Sequence, residues 1–271
     1  MRPRGGPGRG ARYNWGMCGR FVSVSSPRLL ADRFGVAEQV LPERAPDYNV
    51  TPRARVLVVR ERPPRPGGPG TASVVRVLNL VRWGLVPSWA QSPAIGDKLI
   101  NARAESIAEK PSFRRAFEKR RCIVPADAFY EWKRGPGHEA RGPGHEPVAR
   151  APKQPYVIRR RDGEPLAFAG LWEIWRDESV PDPDAPDAWV RSCTIVTTRA
   201  NEVLRPIHDR MPVVLGEDAW DAWLDPTNHD AASLQALLAP APDGWFEVYP
   251  VSARVNTPRN NDADLLTPLP S

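Results

Sequence analysis

Cysteine, lysine and long apolar stretches are all scarce in this sequence. Three cysteines at scattered spacing exclude a disulfide framework and a zinc site built from cysteine pairs. No run approaches the ~18 apolar residues that a membrane-spanning helix requires. The N-terminal arginines precede no apolar core, so the segment is not a secretory signal. The expectation is a cytoplasmic, soluble, monomeric protein with no membrane partner, metal or cofactor. No domain-scale repeat and no linker divides the chain into halves. Lysine numbers 5 against 33 arginines. Compositional bias of a GC-rich genome explains this, as does phosphate recognition by the guanidinium fork.

What is present argues for one folded unit. Hydrophobic residues make up 41% of 271, too many for a disordered chain and enough to bury a core. The net charge is +6, from 38 basic and 32 acidic residues. The first sixteen residues, MRPRGGPGRGARYNWG, hold four arginines, five glycines and no acid. That composition buries no apolar surface, so residues 1–16 read as a disordered extension or a miscalled start. Removing those four arginines from 38 leaves 34 basic against 32 acidic residues, a net of +2. Net charge is thus no argument for an acidic partner.

From residue 17 the texture changes. CGRFVSV alternates as a strand does, and SSPRLLADRFG reads as a short helix with Ser26 as N-cap, Pro27 at its first position and Gly35 as its stop. Strands are predicted at ARVLVVR, SVVRVLNLVRWGLV, CIVPA, AFYEWKR, PYVIRR, PLAFAGLWEIW, SCTIVTT, MPVVL and FEVYPVS. Helices are predicted at PSFRRAFEKR, GEDAWDAWL and AASLQALLA. Many strands with few short helices give an α+β class: a single domain over 17–256 with a largely antiparallel, curved sheet or barrel and short peripheral helices. Residues 134–152, where GPGHE occurs twice, and the acidic stretch 177–188 read as loop inserts, and 257–271 as an irregular tail.

Several residues carry possible chemistry. Cys18 follows Met17; it is either a buried structural cysteine or, if the chain begins or is cut after Met17, an N-terminal 1,2-aminothiol. In that state an α-amine with pKa about 7.7–8.0 sits beside a thiol near 8.5. The amine condenses with an aldehyde, and the thiol closes on the same carbon to give a thiazolidine. Glu131 lies among aromatics in FYEWKR, which suits either a proton-transfer carboxyl or a strand residue that faces solvent or pairs with an arginine. His208 reads either as a structural or exposed histidine or, with Asp209 and Arg210 after it on a turn-like segment, RPIHDRMP, entering a strand, as part of an active-site loop. Asn101 offers an amide to orient an oxygen or amine, and Arg103 shares its face if INARAES is extended. Trp89 is a loop aromatic suited to base stacking or to core packing. Cys122 and Cys193 fall in apolar strands and read as core.

Taken together, MCGRF, YNVTP, VRWGLVPSWA, INARAES, RCIVPADAFYEWKR, AFAGLWEIW, CTIVTTRAN, IHDRMPVVL and the closing YPVSARVNTPRNND stand in an order that resembles the SRAP family, the SOS response-associated peptidases. The resemblance spans about residues 17–262. It implies a β-rich α+β domain that senses abasic sites in single-stranded DNA and forms a thiazolidine cross-link to the exposed aldehyde, shielding the lesion in DNA repair. It also implies self-processing peptidase and lyase activity. By match to the family's motifs, Cys18 is the nucleophile, Asn101 the positioning amide, Glu131 the acid/base and His208 the histidine. Arg20, Trp89 and Arg103 are then the DNA contacts. A second aromatic that follows the loop tryptophan in some members is Ala90 here, and sixteen residues precede Met17. The rival readings are a Cys18/His208 thiol peptidase acting on peptides and a non-enzymatic single-stranded nucleic-acid-binding module.

Overall fold

A computed structural model describes residues 19–37, 41–62, 74–133 and 152–270. Cys18, the predicted extension at 1–16 and residues 134–151 of the first predicted insert lie outside the described residues.

Local chemistry sets the first elements. β1 (Phe21–Ser23) leads into α1 (Pro27–Arg33), where the Ser26 side chain accepts from Leu29 N. Gly35 at φ 63 then turns the chain out of the helix. β2 (Asp47–Val50), β3 (Arg55–Arg62), β4 (Val75–Trp83), β5 (Asn101–Arg103), α2 (Arg114–Lys119), β6 (Arg121–Ala126) and β7 (Ala128–Lys133) follow. Beyond the first insert come β8 (Gln154–Arg160), β9 (Leu166–Arg176), β10 (Trp189–Arg199), β11 (Arg210–Pro212), α3 (Glu217–Leu224), α4 (Ala231–Ala236) and β12 (Phe246–Pro250). Two short strands, β2 and β5, were not drawn out by alternation, since three or four residues are too few to show it. β11 ends at Pro212, and Val214 beyond it makes an isolated bridge to Phe168.

In the larger sheet β4, β3, β6, β9 and β10 form a closed ring, because β10 bonds to β9 on one edge and to β4 on the other. The pairings are antiparallel except that β10 runs parallel to β4 and β5. Alternate residues fill the barrel interior: Val58, Trp83, Val124, Phe168 and Ile195 cluster there with Phe21 and Phe129 from the smaller sheet, ordered β12-β8-β7-β1-β2. The opposite faces of the same strands carry Val59, Ile123 and Leu171, which pack against Phe34, Phe117, Trp220 and Trp223 on the helical side. Both faces are buried, so CIVPA reads as an unbroken apolar run. Residues 177–188 connect β9 to β10, and Trp189 Nε1 donates to Pro183 O at 2.8 Å. After β12 the chain makes two short 3-10 turns, Ala253–Asn256 and Ala263–Leu266, and is docked: Leu265 is buried and Leu269 N donates to Pro250 O at 2.9 Å.

One close approach fixes the loop that carries Trp89. Gly84 adopts φ +121, and a Cβ there would lie 2.6 Å from Gly96 O; a Cβ on Gly96 would lie 2.5 Å from Gly84 O. Backbone crosses backbone, so neither position has room for a side chain. Gly84→Ala is expected to cost about 2–4 kcal/mol in urea unfolding with an unchanged m-value. A cost below about 0.5 kcal/mol, the size of an ordinary surface change, would contradict this account.

Candidate functional site

Glu131 sits mid-strand on β7, opposite Tyr156 of β8. Alternation turns its aromatic neighbours to the other face, where Tyr130 Oη donates to Tyr48 O at 2.8 Å and Trp132 Nε1 donates to Asn256 Oδ1 at 2.7 Å. Glu131 itself shares a face with Phe129, which belongs to the barrel cluster, and is 5% exposed. Its Oε1 is buried with no hydrogen-bond partner among the described residues. Burial pushes the carboxyl from 4.5 up to about 8; the Trp132 N–H pulls it down, and the Asp209 carboxylate adds a further upward push. A carboxyl of this kind is largely protonated at neutral pH and able to give or take a proton there. The solvent-facing alternative for Glu131 is excluded.

The first described residues enter beside it. β1 pairs with β7 through Phe21↔Phe129, and Tyr130 N donates to Arg20 O at 3.0 Å. Continuing that register sets Gly19, which is buried, opposite Glu131.

Asn101 and Arg103 lie on β5, which pairs in parallel with β10 through Ile195↔Asn101 and Thr197↔Arg103. Both side chains leave the same face; Asn101 is buried and Arg103 exposed. On the other edge of β10, β11 pairs antiparallel, and the turn that carries His208 leads into it. The His208 side chain is 10% exposed, its Nδ1 accepting from Arg210 N at 3.0 Å and lying 3.1 Å from Asp209 Oδ1. Nδ1 also lies 3.3 Å from Arg210 O, so one N–H and two oxygens surround it.

Arg210 ties these pieces together. Its Nη1 and Nη2 donate to the two Glu105 carboxylate oxygens at 2.6 and 2.9 Å, and Nη2 donates to Thr197 O at 2.7 Å. The Arg210 fork holds Glu105 below the usual carboxylate range, with Arg103 helping. From the sequence, Asp209 and Arg210 stand out only as neighbours of His208 on a turn-like loop, and Glu105 carries no role. The signal available was an acid and an arginine embedded in two of the motif blocks.

A single apolar cluster anchors all three elements: Phe21 and Phe129 beside Gly19 and Glu131, Ile100 beside Asn101, and Leu204 and Met211 flanking the His208 turn.

The residues predicted to touch a ligand are differently situated. Trp89 is 57% exposed on its loop, which removes the core-packing alternative. The next residue, Ala90, is buried, and its carbonyl accepts from Trp175 Nε1 at 2.6 Å. Arg20 is half-buried: its Nη1 donates to Asn49 Oδ1 and to Val255 O, each at 2.7 Å, and its Cζ lies 5.8 Å from the Trp132 ring centroid. Asn49 Nδ2 in turn donates to Thr257 O and Asn260 O. Arg20 therefore braces the C-terminal segment as well as bordering the site. Cys122 and Cys193 are buried, and burial raises both thiols above their usual range.

A family model described as SOS response associated peptidase (SRAP) matches residues 17–258. The chain is 40% identical over 252 residues to abasic site processing protein YoqW of Bacillus subtilis (strain 168), covering 92% of this chain and 99% of that protein. It is 31% identical over 258 residues to abasic site processing protein YedK of Escherichia coli (strain K12), covering 93% and 100%. In fold it is similar to a crystal structure of a protein from Bacteroides thetaiotaomicron, with a TM-score of 0.73 at 24% identity over 93% of this chain and 100% of that one. A Bordetella bronchiseptica protein gives a TM-score of 0.63 at 25% identity over 87% and 100%.

Proposed function

The chain belongs to the SOS response-associated peptidase family, and on that premise we propose that it processes abasic sites in single-stranded DNA by forming a thiazolidine through Cys18. One observation carries the reading: a buried carboxyl with its pKa near 8, Glu131, lies opposite Gly19, and Gly19 is bonded to Cys18.

His208, protonated beside the Asp209 carboxylate, gives a proton to the sugar ring oxygen and takes up the C1′ hydroxyl proton as the ring opens to the aldehyde. The Cys18 amine, oriented by Asn101, attacks C1′ to give a carbinolamine. Neutral Glu131 donates its proton to the hydroxyl, which leaves as water and yields the imine. The Cys18 thiol then adds to the carbon of the protonated imine, its proton returning to the Glu131 carboxylate while the ring nitrogen keeps its own. Overall one water is lost and no oxidant or cofactor is consumed. Arg103 meets backbone phosphate and exposed Trp89 a base, a mode that reads no sequence. Arg20 contacts the strand near its braced position.

The chemistry requires a free amine on Cys18. Translation from Met17 with removal of that methionine supplies it, as does cleavage after Met17 by the thiol itself. Intact mass of the protein made in cells distinguishes the two routes from retention of 1–17, which blocks the amine.

Methoxyamine caps the abasic aldehyde and tests the function. Loss of the adduct after capping is the expected result. Strand binding with no adduct in either sample would indicate a binding module, and turnover of unrelated peptides a Cys18/His208 peptidase.

A further inference from the structure

The barrel end remote from Phe21 and Phe129 is lined by cations. Along the inner face β3 passes from Val56 and Val58 to Arg60, β9 from Phe168 and Gly170 to Trp172, and β10 back from Ile195 and Cys193 to Arg191. Each strand thus passes from the apolar cluster to an arginine or tryptophan toward one mouth. Arg60 Cζ lies 4.5 Å from the Trp172 ring centroid, and Arg120 Cζ lies 5.7 Å from the same ring. Arg191 is paired with Ile174, two residues along β9 from Trp172, and is exposed.

Among the described residues no carboxylate pairs with Arg60 or Arg191. Arg60 Nε donates to Asn79 Oδ1 at 2.7 Å, its one side-chain hydrogen bond among the described residues, which fixes the plane of the fork. Burial pulls the Arg60 guanidinium down to about 10, the charges of Arg191 and Arg62 add to this, and the Cys122 thiol opposes them. The carboxylate beside Trp172 in sequence, Glu173, is held by Arg120 Nη1 at 2.6 Å. A half-buried cation cluster of this kind gains free energy when an anion enters.

We infer that this mouth is a phosphate-binding site, with the Arg60 and Arg191 guanidiniums as the ligands and Trp172 as the floor beneath Arg60. A tetrahedral oxyanion matches the guanidinium fork, and the aromatic face keeps the Arg60 fork from folding away. The phosphate belongs either to a small phosphorylated compound or to a nucleic-acid backbone. The site lies at the opposite end of the barrel from Glu131 and stands whether or not Cys18 forms an adduct.

Pyrophosphate, titrated against thermal unfolding at ionic strength balanced with chloride, tests the inference. The full chain is expected to gain about 3–8 °C at saturation. Arg191→Ala, an exposed change that leaves the fold intact, and Arg60→Met should each lose at least half of that gain. No gain beyond chloride, or an equal gain in both variants, overturns the site. The salt dependence of binding to a short undamaged single-stranded oligonucleotide identifies the source. A slope reduced by about one in Arg191→Ala assigns the phosphate to DNA. An unchanged slope alongside a lost pyrophosphate gain assigns it to a small molecule. Both of these outcomes uphold the phosphate site.

Discussion

Cys18→Ala protein incubated with abasic single-stranded DNA is expected to give a heat-stable adduct at a yield at least about 100-fold below that of the unaltered protein. The variant keeps its α-amine, so the imine still forms, but nothing closes on the imine carbon and hydrolysis reverses it. Borohydride should therefore restore an adduct to Cys18→Ala protein while adding little to the unaltered one. Cys18→Ser separates ring closure from bulk: the hydroxyl is isosteric but far less nucleophilic, and its adduct should remain borohydride-dependent. Protein that retains residues 1–17 has an amide nitrogen in place of the amine and should behave worse than any of these, with no trapping at this position. A borohydride-independent, heat-stable adduct of undiminished yield from Cys18→Ala protein would sink the mechanism.

The helices and long strands were legible because each was specified locally. Ser26, Pro27 and Gly35 bracket α1 by capping chemistry alone, and β9 and β10 are long enough for their apolar content to announce them. Ring closure was not legible, since it depends on a parallel pairing between β4 and β10, over one hundred residues apart in the chain. Such a pairing leaves no local mark. The same limit applies to the site. Glu131 stood out because a carboxylate among aromatics is locally anomalous, whereas the Arg210 fork on Glu105 spans 105 positions and becomes visible only when β5 and β11 flank β10. Arg20 shows the converse: its motif block marks it as a DNA contact, yet its bonds to Asn49 and Val255 give it a structural duty that no block records.

Glu131→Gln should be more stable than the unaltered protein at pH 8 and far slower. The carboxyl is raised in the fold from 4.5 to about 8, mainly by burial. A group whose folded pKa is raised contributes stability that is fully present below the unfolded pKa and is lost as pH rises through the folded one. The window therefore runs from about pH 4.5 to about pH 8, at ~1.4 kcal/mol per pH unit as an upper slope. Glutamine keeps the shape and does not titrate, so it removes this loss. Urea unfolding should give similar stabilities near pH 4 and an advantage of about 2–4 kcal/mol for Glu131→Gln at pH 8. The rate of adduct formation should fall by about 10²–10⁴-fold, since glutamine cannot relay the proton to the departing hydroxyl. The rate profile then separates proton transfer from mere packing. With Glu131 in place, the rate rises as the amine loses its proton near pH 8 and falls as the carboxyl ionises, giving a bell. In Glu131→Gln the falling limb should disappear and the small residual rate should climb to a plateau. A variant that is less stable at pH 8, or one that keeps the falling limb, would show that the buried carboxyl is a packing residue and that another group moves the proton.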